Sequence, residues 1–181
     1  LSYLNDQYYV NENKVNSDLK INRKIYGFDS FEGLQETDGH LRWEKDMFKK
    51  NHSYHPTIKQ NELVTPKKVE DFFKSMNLKK PIIKKAFFDK LNLDSIDKVA
   101  LCHIDCDLYS STKQALNLIK DKLVNGSIIA FDDWFNNKAN PSKGEMKAYS
   151  DFLDENKHIH SETLEIYGTF CKAFVLTIIN K

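Results

Sequence analysis

Residues Val99 to Leu116 read VALCHIDCDLYSSTKQAL, and the change of pattern inside this stretch decides the fold. From Lys98 to Ile104 (KVALCHI) the chain is almost continuously apolar, as a central parallel strand covered on both faces must be. The run stops at Asp105. After Asp105 to Ser110, Ser111 and Gln114 stand at capping-box spacing, and Leu116, Ile119 and Leu123 continue a helical stripe. A buried strand, an acidic turn and an amphipathic helix in succession form the unit from which open α/β sheets are built.

The same unit recurs on both sides. Downstream, Asn125 and Gly126 are placed to end the helix in the left-handed conformation. Ser127 to Phe131 (SIIAF) then reads as another strand, stopped by Asp132 and Asp133. Ser142 and Glu145 offer a second capping box, followed by Met146, Tyr149, Phe152 and Leu153 at helical spacing. Two β-prone runs between Thr163 and Ile179, parted by Gly168 and Thr169, predict an antiparallel pair. Upstream, Lys24 to Phe28 (KIYGF) reads as a strand stopped by Asp29 and Ser30, and Pro81 to Phe88 (PIIKKAFF) as another. Between them Thr65 caps a helix with Pro66 at its first position and Val69, Phe72, Phe73 and Met76 on one face. Gln35 to Thr65 is polar and aromatic without a sustained period, the pattern of a long loop or lid with a helical piece around Trp43 to Lys50. The sum is an α/β chain: one domain over residues 1–181, with an open, mostly parallel sheet and a C-terminal antiparallel strand pair.

Composition narrows the function classes. Twenty-seven Lys and Arg nearly cancel 26 Asp and Glu, leaving a net charge of +1, so no basic excess draws the chain to nucleic acid or an anionic membrane. Three cysteines without a CxxC pair speak against a disulfide framework and suit a reducing cytoplasm. No stretch approaches the ~20 apolar residues of a membrane span, and the first residues lack the pattern of a signal peptide. The richness in Lys, Asn and Ile points to an AT-rich bacterial gene.

Acidic residues follow three of the strands: Asp29 after the first, Asp105 and Asp107 after the third, Asp132 and Asp133 after the fourth. In an open α/β sheet the carboxyl ends of the strands form the ligand-binding rim. Gathered carboxylates raise one another's pKa unless a cation neutralises them. A hard divalent cation such as Mg²⁺ suits an all-oxygen donor set and keeps positions open for substrate oxygens, whereas zinc favours sulfur and imidazole. Simpler readings stand beside this one. Asp132 and Asp133 also fit a helix or turn cap, and Asp105 and Asp107 fit turn residues ahead of the Ser111 helix. Cys102, His103 and Cys106 read as core packing, since neighbours on a strand point to opposite faces and cannot all reach one ion.

The runs KIYGFDSFEGL (Lys24 to Leu34), VALCHIDCDLYSSTKQAL (Val99 to Leu116) and GSIIAFDDW (Gly126 to Trp134) together resemble the macrocin O-methyltransferase family, in the family's order and at compatible separations. The resemblance covers most of the chain from Lys24 through Phe152. It implies a class I, Rossmann-like methyltransferase fold and transfer of a methyl group from S-adenosylmethionine to a hydroxyl, usually on a sugar. It further implies that Asp29 holds the cofactor ribose while Ser30 and Phe31 shape the neighbouring wall. Phe87 is retained beside the adenine position, where Lys85 and Ala86 replace the family's glycine and aromatic. Asp105, Asp132 and Asp133 match the metal-ligand positions, with Asp107 and Tyr109 as local support. Asp105 is the candidate proton acceptor or its positioner, because Leu108 stands where catechol-type enzymes carry a catalytic lysine. His40, His52 and His55 are alternative bases in the loop.

No glycine precedes Gly27, so the family's glycine-rich turn after its first strand is not found. Leu1 to Tyr9 (LSYLNDQYY) reads as the helix that follows such a turn. A polypeptide of these residues alone is expected to be poorly stable or to pair through the open sheet edge with another copy, and to bind S-adenosylmethionine weakly. Two rival readings stand beside this one. Asp105-Cys106-Asp107 has the DxD form of metal-dependent nucleotide-sugar glycosyltransferases, which leaves the DSFEGL run and the Asp132–Asp133 pair unexplained. A degenerate, non-catalytic methyltransferase-like domain is the other.

Overall fold

A computed structural model describes residues 23–35, 44–52 and 57–179. The helix expected of Leu1 to Tyr9 lies outside them, as do His40, Trp43 and His55. The chain divides into two compact units, whose described residues are 23–35, 44–52 and 57–87 in the first and 88–179 in the second.

The first unit holds β1 (Tyr26–Asp29), α1 (Pro66–Ser75) and β2 (Ile82–Lys85). β1 and β2 pair in parallel from Tyr26 opposite Ile82 to Asp29 opposite Lys85. Thr65 caps α1, its hydroxyl accepting the Lys68 N–H at 3.4 Å, and Pro66 opens the first turn where no N–H is needed. Val69, Phe72 and Phe73 form a buried cluster against Ile25, Phe31, Val64, Leu78 and Ile83. Met76 does not join them: α1 ends at Ser75, and Met76 at the C-cap is 57% exposed. The helical piece expected from Trp43 to Lys50 is also corrected over its described residues. Asp46 and Phe48 have φ of +64° and +68°, a left-handed conformation that excludes a helix of L-residues. The chain turns there and runs antiparallel to itself, with Asn51 N–H donating to Glu62 C=O at 2.8 Å and Val64 N–H to Lys49 C=O at 3.1 Å.

The second unit holds β3 (Val99–Ile104), α2 (Tyr109–Ile119), β4 (Leu123–Phe131), α3 (Gly144–Glu155), β5 (Ile159–Tyr167) and β6 (Cys171–Ile178). Its sheet has the order β3-β4-β6-β5. β3 and β4 run parallel, while β6 is antiparallel to both of its neighbours. The result is a mixed sheet, with the expected hairpin inserted so that its second strand, β6, sits beside β4. Beneath it Phe131, Trp134, Tyr149 and Phe174 pack ring against ring at centroid distances of 4.7 to 6.0 Å. Each such buried side chain contributes roughly 1.5–3 kcal/mol.

Helix starts and stops differ from the capping expectations. α2 begins at Tyr109, ahead of Ser111, with the buried Leu108 at the cap position and no side-chain cap bond. α3 begins at Gly144, and Glu145 is not turned back to cap it. Asn125 and Gly126 do not end α2 either. The helix stops at Ile119, a 3₁₀ turn spans Lys120–Lys122, and Gly126 lies inside β4 with φ +83°. There the register jumps from Val99 opposite Leu123 to Leu101 opposite Ile128. Ser127 closes this irregularity. Its fully buried hydroxyl accepts the Val124 N–H at 2.8 Å and donates to the Val99 C=O at 2.6 Å. Ser127→Ala should therefore cost about 1–3 kcal/mol, the penalty for stranding buried backbone groups. A urea midpoint equal to that of the parent would show that water replaces the hydroxyl.

Candidate active site

The parallel register of β3 and β4 builds the site. Ile104 lies opposite Phe131, and the Asp132 N–H donates to the Ile104 C=O at 3.0 Å, so both strands end level and their acidic residues emerge together. Beyond Phe131 the chain bends, and the Asp132 and Asp133 side chains diverge. Asp132 Oδ1 lies 3.5 Å from His103 Nε2 and 3.7 Å from Cys171 Sγ. Asp133 joins Asp105 and Asp107, the three carboxylates offering oxygens all within 4.8 Å of one another.

Asp107 reaches this position through strain. Its φ is +57°, and the Leu108 N–H folds back to the Cys106 C=O at 2.5 Å. Asp tolerates the left-handed region better than most residues, and such outliers gather at functional sites. The side chain is buried, Asp133 is half-buried and Asp105 faces solvent. Burial first, then the charges of Asp133 and Asp105, pushes the Asp107 carboxyl up to about 10. Burial and Asp105 push Asp133 up to about 6, against the hydrogen bonds it receives from Asp107 and Asn136. Burial and crowding thus both favour protonation within the cluster when no cation is bound.

A divalent cation fits these residues. Oxygens on opposite sides of an octahedral Mg²⁺ lie ~4.2 Å apart, so carboxylates already within 4.8 Å need only small adjustments. The ion would remove the repulsion that otherwise protonates them. Asp105 and Asp133 belong to this group as the sequence leads one to expect. Asp107, read there as local support, stands in it as well, and Asp132 is turned toward His103.

Glu145 was missed. It is 1% exposed, and its carboxylate accepts the Asp133 N–H at 3.0 Å and the Cys106 N–H at 3.5 Å. Burial, then Asp133 and Asp105, holds its carboxyl well above the usual range. The signal was available: Glu145, Ala148, Tyr149 and Phe152 are spaced i, i+3, i+4, i+7 and form the buried face of α3. A charge on an apolar stripe asks for a partner. Cys106 also packs into the core, and burial pushes its thiol well above the ordinary range.

The residues assigned to the cofactor lie in the first unit. Asp29 ends β1 with an exposed side chain that accepts the Phe31 N–H, and Ser30 Oγ accepts the Glu32 N–H at 3.1 Å. Phe31 has φ +56°, and Glu32 is held by Lys49 and Lys85, each at 3.0 Å. Since Asp29 pairs with Lys85, Phe87 two residues on lies at the same carboxyl end of the parallel pair, 37% exposed.

The sequence profile of the macrocin-O-methyltransferase (TylF) family matches residues 12–171. The chain belongs to this family. Its fold is that of class I methyltransferases. The structure of the O-methyltransferase NovP superposes with a TM-score of 0.65 at 19% identity, covering 90% of this chain and 64% of NovP. CalS11, described as a TDP-rhamnose 3'-O-methyltransferase of calicheamicin biosynthesis, gives a TM-score of 0.52 at 23% identity, covering 84% of this chain and 58% of CalS11. The chain thus spans about three-fifths of the length of these structures. Among curated proteins, none matches by sequence. No helix among the described residues is long and apolar enough to cross a membrane.

Proposed function

We propose that this macrocin O-methyltransferase family member methylates a hydroxyl of a sugar or glycosylated small molecule, using S-adenosylmethionine and a divalent cation, with Mg²⁺ the natural choice. The observation that carries the reading is the group Asp105, Asp107 and Asp133 at the ends of two level parallel strands. Asp105, Asp132 and Asp133 are the ligands that the family pattern assigns, and two of them, Asp105 and Asp133, belong to this group. S-adenosylmethionine supplies an electrophilic methyl group, and the cation supplies Lewis acidity that lowers the pKa of a bound hydroxyl.

The chain's own residues do the remaining work. Asp105, the solvent-facing member of the group, receives the hydroxyl proton or orients the group that does. Asp107 and Asp133 are buried enough to keep their geometry while substrate exchanges. Asp29 accepts from the ribose hydroxyls, Ser30 and Phe31 wall the ribose, and Phe87 flanks the adenine. In this setting the protein works in the bacterial cytoplasm on small molecules, without nucleic acid or membrane.

The direct test is transfer of labelled methyl from S-adenosylmethionine to a panel of nucleotide-linked sugars and glycosides in the presence of Mg²⁺. Label in at least one sugar is expected; label in none, with no binding of S-adenosylmethionine, would overturn the proposal. Asp29→Ala should weaken S-adenosylmethionine by about 1.5–3 kcal/mol, the range for hydrogen bonds to a charged group. An unchanged dissociation constant in calorimetry would remove Asp29 from the cofactor site.

A further inference from the structure

We infer that Glu145 is a positioning residue that fixes the distance between the two acidic turns; the inference rests on the metal-assisted reading above. Its two carboxylate oxygens are bound by backbone N–H groups of different strand ends. One belongs to Cys106, between Asp105 and Asp107, and the other to Asp133 itself. One buried carboxyl group therefore spans the gap between the turn after β3 and the turn after β4, closely at Asp133 (3.0 Å) and more loosely at Cys106 (3.5 Å). Those are the turns that carry the three gathered acids.

Position on α3 makes this possible. Glu145 lies in the first turn of the helix, at the end that faces the two acidic turns it contacts. The helix is held in place by Ala148, Tyr149 and Phe152, all buried on the same face. Tyr149 in turn packs at 5.0 Å on Phe131, the last residue of β4, and at 5.8 Å on Trp134, the residue after Asp133. The carboxylate thus stands on a rigid base and reaches both turns from behind.

Stability alone does not account for such a residue. Burying a carboxylate beside three others is expensive, and an apolar side chain of similar size is commonly as stable or more so in such places. Glu145 does satisfy two backbone donors, but the donors that it satisfies are those whose spacing sets the carboxylate cluster. Outer groups of this kind hold metal ligands in their binding geometry, and their loss typically weakens metal affinity by 10- to 100-fold.

The test uses Mn²⁺, whose free ion is counted directly by electron paramagnetic resonance. In Glu145→Gln one oxygen still accepts, but the amide nitrogen meets an N–H, so one turn is released while volume is kept. The Mn²⁺ dissociation constant should rise about tenfold or more. Glu145→Ala, with no acceptor, should lose more still, so that Gln counts as partial rescue. Methyl transfer should show a fall in kcat, with KM for S-adenosylmethionine nearly unchanged. Equal Mn²⁺ affinity in parent and Gln variant, accompanied only by a lower melting temperature, would overturn the inference and leave Glu145 a structural residue. A parent protein that binds no Mn²⁺ would instead overturn the metal reading itself, and this inference with it. One measurement needs no variant: in the parent, the amide protons of Cys106 and Asp133 should exchange slowly with solvent. Exchange at the rate of an unstructured chain at either amide also overturns the inference.

Discussion

Asp133→Asn is expected to lower kcat for methyl transfer by about a thousandfold, a loss of ~4 kcal/mol in transition-state stabilisation. Asp133, like Asp105, is assigned to the metal by the family pattern and also lies in the acidic group, its carboxylate within 4.8 Å of those of Asp105 and Asp107; unlike Asp105 it is half-buried. Asn keeps the shape and one oxygen but removes the charge that a hard cation needs. Excess chelator should reproduce the loss in the parent, and added Mg²⁺ should reverse it. Full activity in chelator would sink the metal hypothesis. The neighbouring positions discriminate further. If Asp132 turns from His103 Nε2, now 3.5 Å away, to join the ion, Asp132→Asn will be as damaging as Asp133→Asn. If Asp107 serves instead, Asp107→Asn will be the damaging change and Asp132→Asn the mild one. Steady-state kinetics across a Mg²⁺ titration separates the two.

The parts of this site that were legible in the sequence are those set by strand patterning. Apolar runs ending in Asp located β3 and β4, and the equal position of the acids at their ends follows from parallel pairing of Ile104 with Phe131. What was not legible depends on phase and on tertiary contact. Which of Asp132 and Asp133 faces Asp105 is decided by the bend that the chain makes directly after β4, which the local residue pattern does not reveal. Asp107 enters the cluster through a left-handed φ of +57°, and that turn also starts α2 ahead of the Ser111 capping box. Glu145 fitted a capping box by spacing alone. Its actual partners, Cys106 and Asp133, lie 39 and 12 residues away, beyond the reach of any local rule. Met76 shows the same limit at a helix end: its spacing suits the buried face, but the helix stops one residue before it and leaves it exposed.

The electrostatics of the cluster lead to a stability profile opposite to that of most acidic residues. An Asp carboxyl in an unfolded chain titrates near ~3.9, whereas Asp133 in the folded protein is pushed up to about 6 and Asp107 to about 10. Above pH ~4 the unfolded chain has released protons that the folded chain still holds. Stability then falls as pH rises, because it increases with pH only where the unfolded state binds more protons. The fall begins near pH 4, and Asp133 and Asp107 contribute to it together. Asp107 extends the decline in the same direction toward alkaline pH. In chelator, urea unfolding should therefore give a lower free energy at pH 8 than at pH 5. Mg²⁺ at a hundred times its dissociation constant should return about 2.7 kcal/mol at pH 8 and much less at pH 5, where the carboxyls hold protons. Asp133→Asn should flatten the curve between pH 4 and 6 and weaken the response to Mg²⁺. A metal-free stability that rises from pH 5 to 8 would mean that the carboxylates are not crowded as described, and the case for a cation between them would lose its physical basis.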